Sequence, residues 1–136
     1  MGAWSHEPFG NDTAADWAYG LHDSEDLAYV EHALDAVLEA GDDYLDSDLA
    51  TEAIAAVDVM ARTLGRGFPS NAYSEAADSW IERVKPVLSP ALRQKAMHAL
   101  TRIGGDDSEL NELWADSDHF AAWQQTLTVL RLAMHD

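Results

Sequence analysis

Apolar residues recur along this chain at spacings of three and four, the period of a buried helix face, and six or seven stretches carry the pattern. A short helix over 11–19 follows from Asn11 and Asp12 as start signals, with Asp16 in its first turns and Gly20 as its stop. A second helix, capped at Asp23 or Ser24 and running to 40, places Leu27, Val30, Leu34, Val37 and Leu38 on one face before Gly41. After the turn-rich run 42–48, a third helix has Leu49, Ala53, Ala56, Val57, Met60 and Leu64 as its buried stripe and ends at Gly65-Arg66-Gly67. Its many alanines permit a close approach by neighbouring helices.

The second half reads the same way. A helix over 74–85 buries Ala77, Trp80, Ile81 and Val84 and is stopped by Pro86. Ser89-Pro90 pairs a capping hydroxyl with proline at the first helical position, and Leu92, Ala96, Ala99, Leu100 and Ile103 follow as far as Gly104-Gly105. Asp106-Asp107-Ser108 begins a short helix with Leu110, Leu113 and Trp114. Asp116-Ser117-Asp118 caps the last one, whose stripe is Phe120, Trp123, Leu127, Leu130 and Met134. No segment alternates as a strand would, and no linker or repeat divides the chain. The expected fold is one all-α domain over residues 1–136, fronted by an ordered arm in which Trp4, Phe9 and Trp17 supply enough apolar surface to hold the N-terminus down.

Charge changes the picture most. The formal net is −17, from 25 acidic against 8 basic residues, and the first Lys or Arg is Arg62. Such a chain cannot neutralise phosphates, so direct nucleic-acid binding is excluded, as is attraction to an anionic membrane. A basic protein partner is favoured and would be electrostatically steered. Glu31, Asp35 and Glu39 recur every four residues and stack on one helix face; Asp42, Asp43, Asp46 and Asp48 extend the acidic run around Tyr44. These eight residues are the expected partner-binding surface, the alternative being a solvated face that keeps the protein soluble.

Other chemistry is poorly supported. The run 42–52 invites comparison with an EF-hand, but Tyr44 or Ala50 falls where a ligand is required, according to the starting position. The six histidines are scattered and no catalytic or phosphate-binding fingerprint appears, so the expectation is no metal site, no cofactor and no enzyme. Lack of cysteine, of a long apolar span and of a basic leader fits a cytoplasmic protein.

The opening resembles DUF4259, a bacterial family of unknown function whose members begin Met-Gly-x-Trp, then a Phe, an Asn-Asp pair and an Asp-Trp. Here these are Met1, Gly2, Trp4, Phe9, Asn11, Asp12, Asp16 and Trp17, and the later segment Ser108-Glu109-Leu110-Asn111-Glu112-Leu113-Trp114 is similar too. Ser5 and Glu7 depart from the small residues usual there, which implies a different bend of the arm. The family name carries no activity. Small acidic helical proteins of this kind occur among immunity proteins of bacterial toxin systems. That analogy, with the charge, points to a protein that occludes a basic toxin, preferably a nuclease. The alternatives are a nucleic-acid mimic that occupies a DNA-binding protein, and a small-molecule or metal-binding module at a pocket lined by Trp4, His6 and Trp17.

Overall fold

The computed structural model describes residues 5–135, in which seven α-helices carry the chain and no strand forms. They are α1 (Asp12–Tyr19), α2 (Ala28–Leu38), α3 (Ser47–Thr63), α4 (Glu75–Val84), α5 (Pro90–Ile103), α6 (Glu109–Ala115) and α7 (Phe120–Ala133). Caps set most of the starts. The side chains of Asn11, Asp46, Ser89 and Ser108 each accept backbone N–H bonds that the first turn of their helix cannot make internally.

The hub is α3, which packs against all six other helices. Its apolar stripe widens to the whole circumference: Ala50, Ile54, Ala55, Val59 and Ala61 are buried along with the expected Ala53, Ala56, Val57 and Met60. A helix that is apolar all round belongs in a protein interior, and its alanines bring the neighbouring axes close. One buried residue breaks the apolar surface. Asp58 is fully enclosed, with Oδ2 2.7 Å from Arg62 Nε and Oδ1 accepting the Phe68 N–H at 3.0 Å. Arg62 also reaches Asp78 of α4 at 2.9 Å and lies over the ring of Phe9, 5.5 Å from its centroid. This network fastens the arm and the 64–74 loop to α3 and α4. Burial pushes the Asp58 carboxyl up, against the pull of Arg62 and the Phe68 amide.

Of the first two helices, one expected boundary holds and one shifts, each for an identifiable reason. The first helix ends at Tyr19 with Gly20 as its C-cap, as expected, and the chain continues through a 3-10 turn, Gly20–Asp23. Glycine gives space there, because a Cβ would collide with the Tyr29 hydroxyl, which is held by the Trp17 carbonyl. The second helix starts at Ala28, later than the capping pattern suggests. The Ser24 carbonyl is taken by the Trp80 indole at 2.9 Å, and Asp26 caps the Ala28 N–H at 2.9 Å.

Within the arm, Ser5 Oγ accepts the Glu7 N–H and Gly10 N–H returns to the Glu7 carbonyl, both at 3.0 Å. Phe9 and Trp17 are buried as expected. Met1, Gly2 and Trp4 lie outside the described residues.

Candidate partner interface

Two acidic loops, 41–46 before α3 and 104–108 before α6, are joined edge to edge. The Leu45 N–H donates to the Asp107 carbonyl at 2.8 Å, and the Glu109 N–H donates to the Leu45 carbonyl at 3.0 Å, while the Leu45 side chain is buried beneath. Glu109 Oε1 accepts the Ser47 N–H at 2.9 Å, so α6 helps cap α3. Tyr44 crosses the seam with its hydroxyl donating to Glu112 at 2.9 Å; that bond to a carboxylate holds the phenol proton more tightly and raises its pKa.

Arg102 of α5 locks the assembly. Its guanidinium donates to the carbonyls of Gly41 (3.0 Å), Asp43 (2.6 Å), Asp106 (2.9 Å) and Asp107 (3.2 Å). With the backbone carbonyls turned inward, the carboxylates of Asp42, Asp43, Asp46, Asp48, Asp106 and Asp107 stand exposed along one edge, with Tyr44 among them. Asp107 adopts φ +56, a left-handed conformation that Asp tolerates better than most residues, and its carbonyl is held by Leu45 and Arg102.

The expected ridge on α2 divides. Glu31 and Asp35 point toward α5, where Lys95 Nζ lies 2.6 Å and 2.8 Å from them. The hydrogen bonds that Lys95 donates to Asp35 and Glu31 raise its pKa and keep it charged. These two carboxylates are therefore already partnered, whereas Glu39, Asp42, Asp43, Asp46 and Asp48 remain exposed. Asp46 has a structural duty as well, accepting the Asp48 and Leu49 N–H groups at the start of α3. Sequence reasoning missed Asp106, Asp107, Glu109 and Glu112 as neighbours of the loop. The signal was the Asp-Asp-Ser cap, but nothing local in the sequence pairs residue 45 with 108.

Basic residues are engaged inside the molecule. Of the 8 Lys and Arg, Arg62 serves the buried network, Lys95 bridges α5 to α2, and Arg102 holds the two loops. Arg66 and Arg93 satisfy carbonyls at the end of α7, and Arg83 reaches Glu25 and the carbonyls of Leu21, His22 and Ser24. Six of the eight cations are thus tied to backbone or to a partner acid, while Lys85 stands exposed at the end of α4.

The pocket expected around Trp4, His6 and Trp17 is not a single site. His6 lines a cleft of about 210 Å³ between the arm, α3, α6 and α7, backed by the stacked Trp114 and Trp123 rings, and its Nδ1 lies 3.0 Å from Thr126 Oγ1. Trp17 lines a different groove between α1, α2 and α3. Trp4 lies outside the described residues. Of the other motif residues, Asn11 caps α1 and Asp12 and Asp16 are exposed on it. Among the described residues no three His, Asp or Glu side chains are grouped so as to hold a metal ion, and no helix is long and apolar enough to cross a membrane.

An all-helical acidic domain with most of its cations tied to its own backbone and carboxylates is thus the class of protein that fold and surface define. The chain belongs to the DUF4259 family, described as a domain of unknown function, whose profile matches residues 2–126. No curated protein and no solved structure matches it.

Proposed function

We propose that the protein is an immunity or antitoxin-like inhibitor, cytoplasmic, that binds a basic toxin domain, a nuclease by preference, and covers its cationic cleft. The observation that carries this reading is the edge formed by the two acidic loops. Its carboxylates are exposed, its backbone is held from behind by Arg102, and Tyr44 stands among them as an aromatic anchor. Carboxylates fixed in place substitute for substrate phosphates without the entropy loss of ordering a flexible loop. Long-range attraction sets a fast association rate, and Tyr44 with nearby apolar groups sets the residence time. No catalytic step is part of this role.

The working residues are Glu39, Asp42, Asp43, Tyr44, Asp46 and Asp48, joined by Asp106 and Asp107 across the seam. Glu31 and Asp35 contribute less, because Lys95 offsets one of their two charges and engages both side chains. The test is co-expression with the C-terminal region of the protein encoded by the adjacent open reading frame, scoring growth and isolating the complex. Rescue that is lost in Asp42→Lys/Asp43→Lys supports the reading. A nucleic-acid mimic would instead bind several unrelated basic proteins with similar affinity.

A further inference from the structure

The groove between α1, α2 and α3 has a composition that calls for a particular kind of occupant. It encloses about 440 Å³, within the range of about 300–1,000 Å³ typical of ligand clefts. Trp17 and Tyr29 form one wall, their rings stacked 5.1 Å apart at 18°, and the Tyr29 hydroxyl is fixed by donating to the Trp17 carbonyl at 2.6 Å. Ala33 and Ala36 keep the α2 side shallow and apolar, and Leu49 continues that surface on α3. The polar groups are Thr13, Asp16, His32, Asp48 and Glu52, with no lysine or arginine among the lining residues.

From this arrangement we infer that the groove receives an arginine side chain from a basic polypeptide, its stem along Ala33, Ala36 and Leu49 and its guanidinium among Asp16, Asp48 and Glu52 beside the Trp17–Tyr29 wall. Two features favour arginine. Carboxylates and aromatic faces together suit a planar, weakly hydrated cation, which pairs with the first and stacks on the second. Lastly, the groove adjoins the acidic edge through Asp48, which belongs to both, so a protein docked on the edge has a side-chain pocket within reach. Half-buried Glu52 supports the same occupant: burial, then Asp48 and Asp46, raise its pKa, a cost that an incoming cation relieves. The identity of the donor polypeptide rests on the partner reading above; the chemistry of the groove does not.

The probe is the peptide acetyl-Gly-Arg-Gly-amide, titrated into the intact protein and followed by amide and indole NMR shifts. Its citrulline counterpart is the uncharged control of nearly the same shape. The expected result is saturable shifts at the Trp17 indole and the Ala33 and Ala36 amides, weakened at least ten-fold for the citrulline peptide. Asp48→Asn/Glu52→Gln should weaken the arginine peptide to a similar degree. Glu82→Gln/Asp118→Asn, which removes the same charge elsewhere, should leave it unaltered. Shifts spread over the whole acidic surface, or equal in both double variants, would overturn the inference. The two readings separate cleanly. Growth rescue that survives Asp48→Asn/Glu52→Gln, with no arginine site by NMR, removes the groove and keeps the edge. A specific arginine site without any rescue keeps the groove and removes the edge.

Discussion

Arg102→Met removes the guanidinium that holds both acidic loops while keeping the aliphatic stem. Four carbonyl acceptors lose a charged donor. A hydrogen bond to a charged group contributes about 1.5–3 kcal/mol, but loop carbonyls near the surface can rehydrate, so the expected loss is about 2–4 kcal/mol and not four times the single value. Loss of the cation also leaves Asp42, Asp43, Asp106 and Asp107 repelling one another, so the destabilisation should be larger at low salt. Urea unfolding at two salt concentrations measures the global effect. Amide exchange at Leu45 and Glu109, the two N–H groups of the seam, measures the local one and should accelerate more than exchange in the α3 core. Unchanged exchange at these amides, with a stability loss below about 0.5 kcal/mol, would refute the claim that Arg102 holds the edge together.

Further outcomes follow from the packing. Arg62→Met leaves Asp58 buried without its cation and should cost about 3–5 kcal/mol, with Asp58→Asn in the same chain recovering part of it; equal losses in single and double variants, measured by denaturation, would contradict the pairing. Gly20→Ala should destabilise by about 1–3 kcal/mol because the methyl displaces Tyr29. In a Tyr29→Ala background the same change should become stabilising, since alanine is the better helix former, and a sign that does not reverse would refute the steric account. Glu52→Gln should raise stability near neutral pH by about 0.2–0.5 kcal/mol, because it removes a partly buried charge and the like-charge contact with Asp48 one turn away. The folded protein binds the Glu52 proton more tightly than the unfolded chain does, so the native carboxylate costs stability as pH rises through its raised pKa. Thermal melts should therefore show the gain shrinking toward acid pH, and a loss at neutral pH would contradict this. The same substitution is expected to weaken arginine binding in the groove, a trade of function against stability.

Local signals made much of the fold legible. Ser89-Pro90 and the stripe from Leu92 to Ile103 specify α5 almost completely, because capping and periodicity act within a few residues. The central position of α3 was harder to see. Its stripe reads as one face when alanines are taken as neutral, and the buried Asp58 looks like a solvent residue until Arg62 and the Phe68 amide are placed beside it. Gly20 does mark the end of α1, but its small size also serves a contact with Tyr29 nine residues later, which no local signal shows. The candidate surface suffered most from long-range effects. The absence of basic residues before Arg62 suggested an unpartnered ridge on α2, yet Lys95 and Arg102 return from α5 to pair with Glu31 and Asp35 and to hold the loop. Charge along a sequence does not say which charges fold onto one another.

The central claim, that the rigid edge around Tyr44 binds a basic protein, is tested most directly by the salt-dependent association rate. The partner to measure is the C-terminal region of the adjacent gene's product, against the native chain and Asp42→Asn/Asp43→Asn. The account predicts fast association that slows steeply with added salt, and a variant that associates more slowly with a flatter salt dependence. Equal rates for the two proteins at low salt would contradict it.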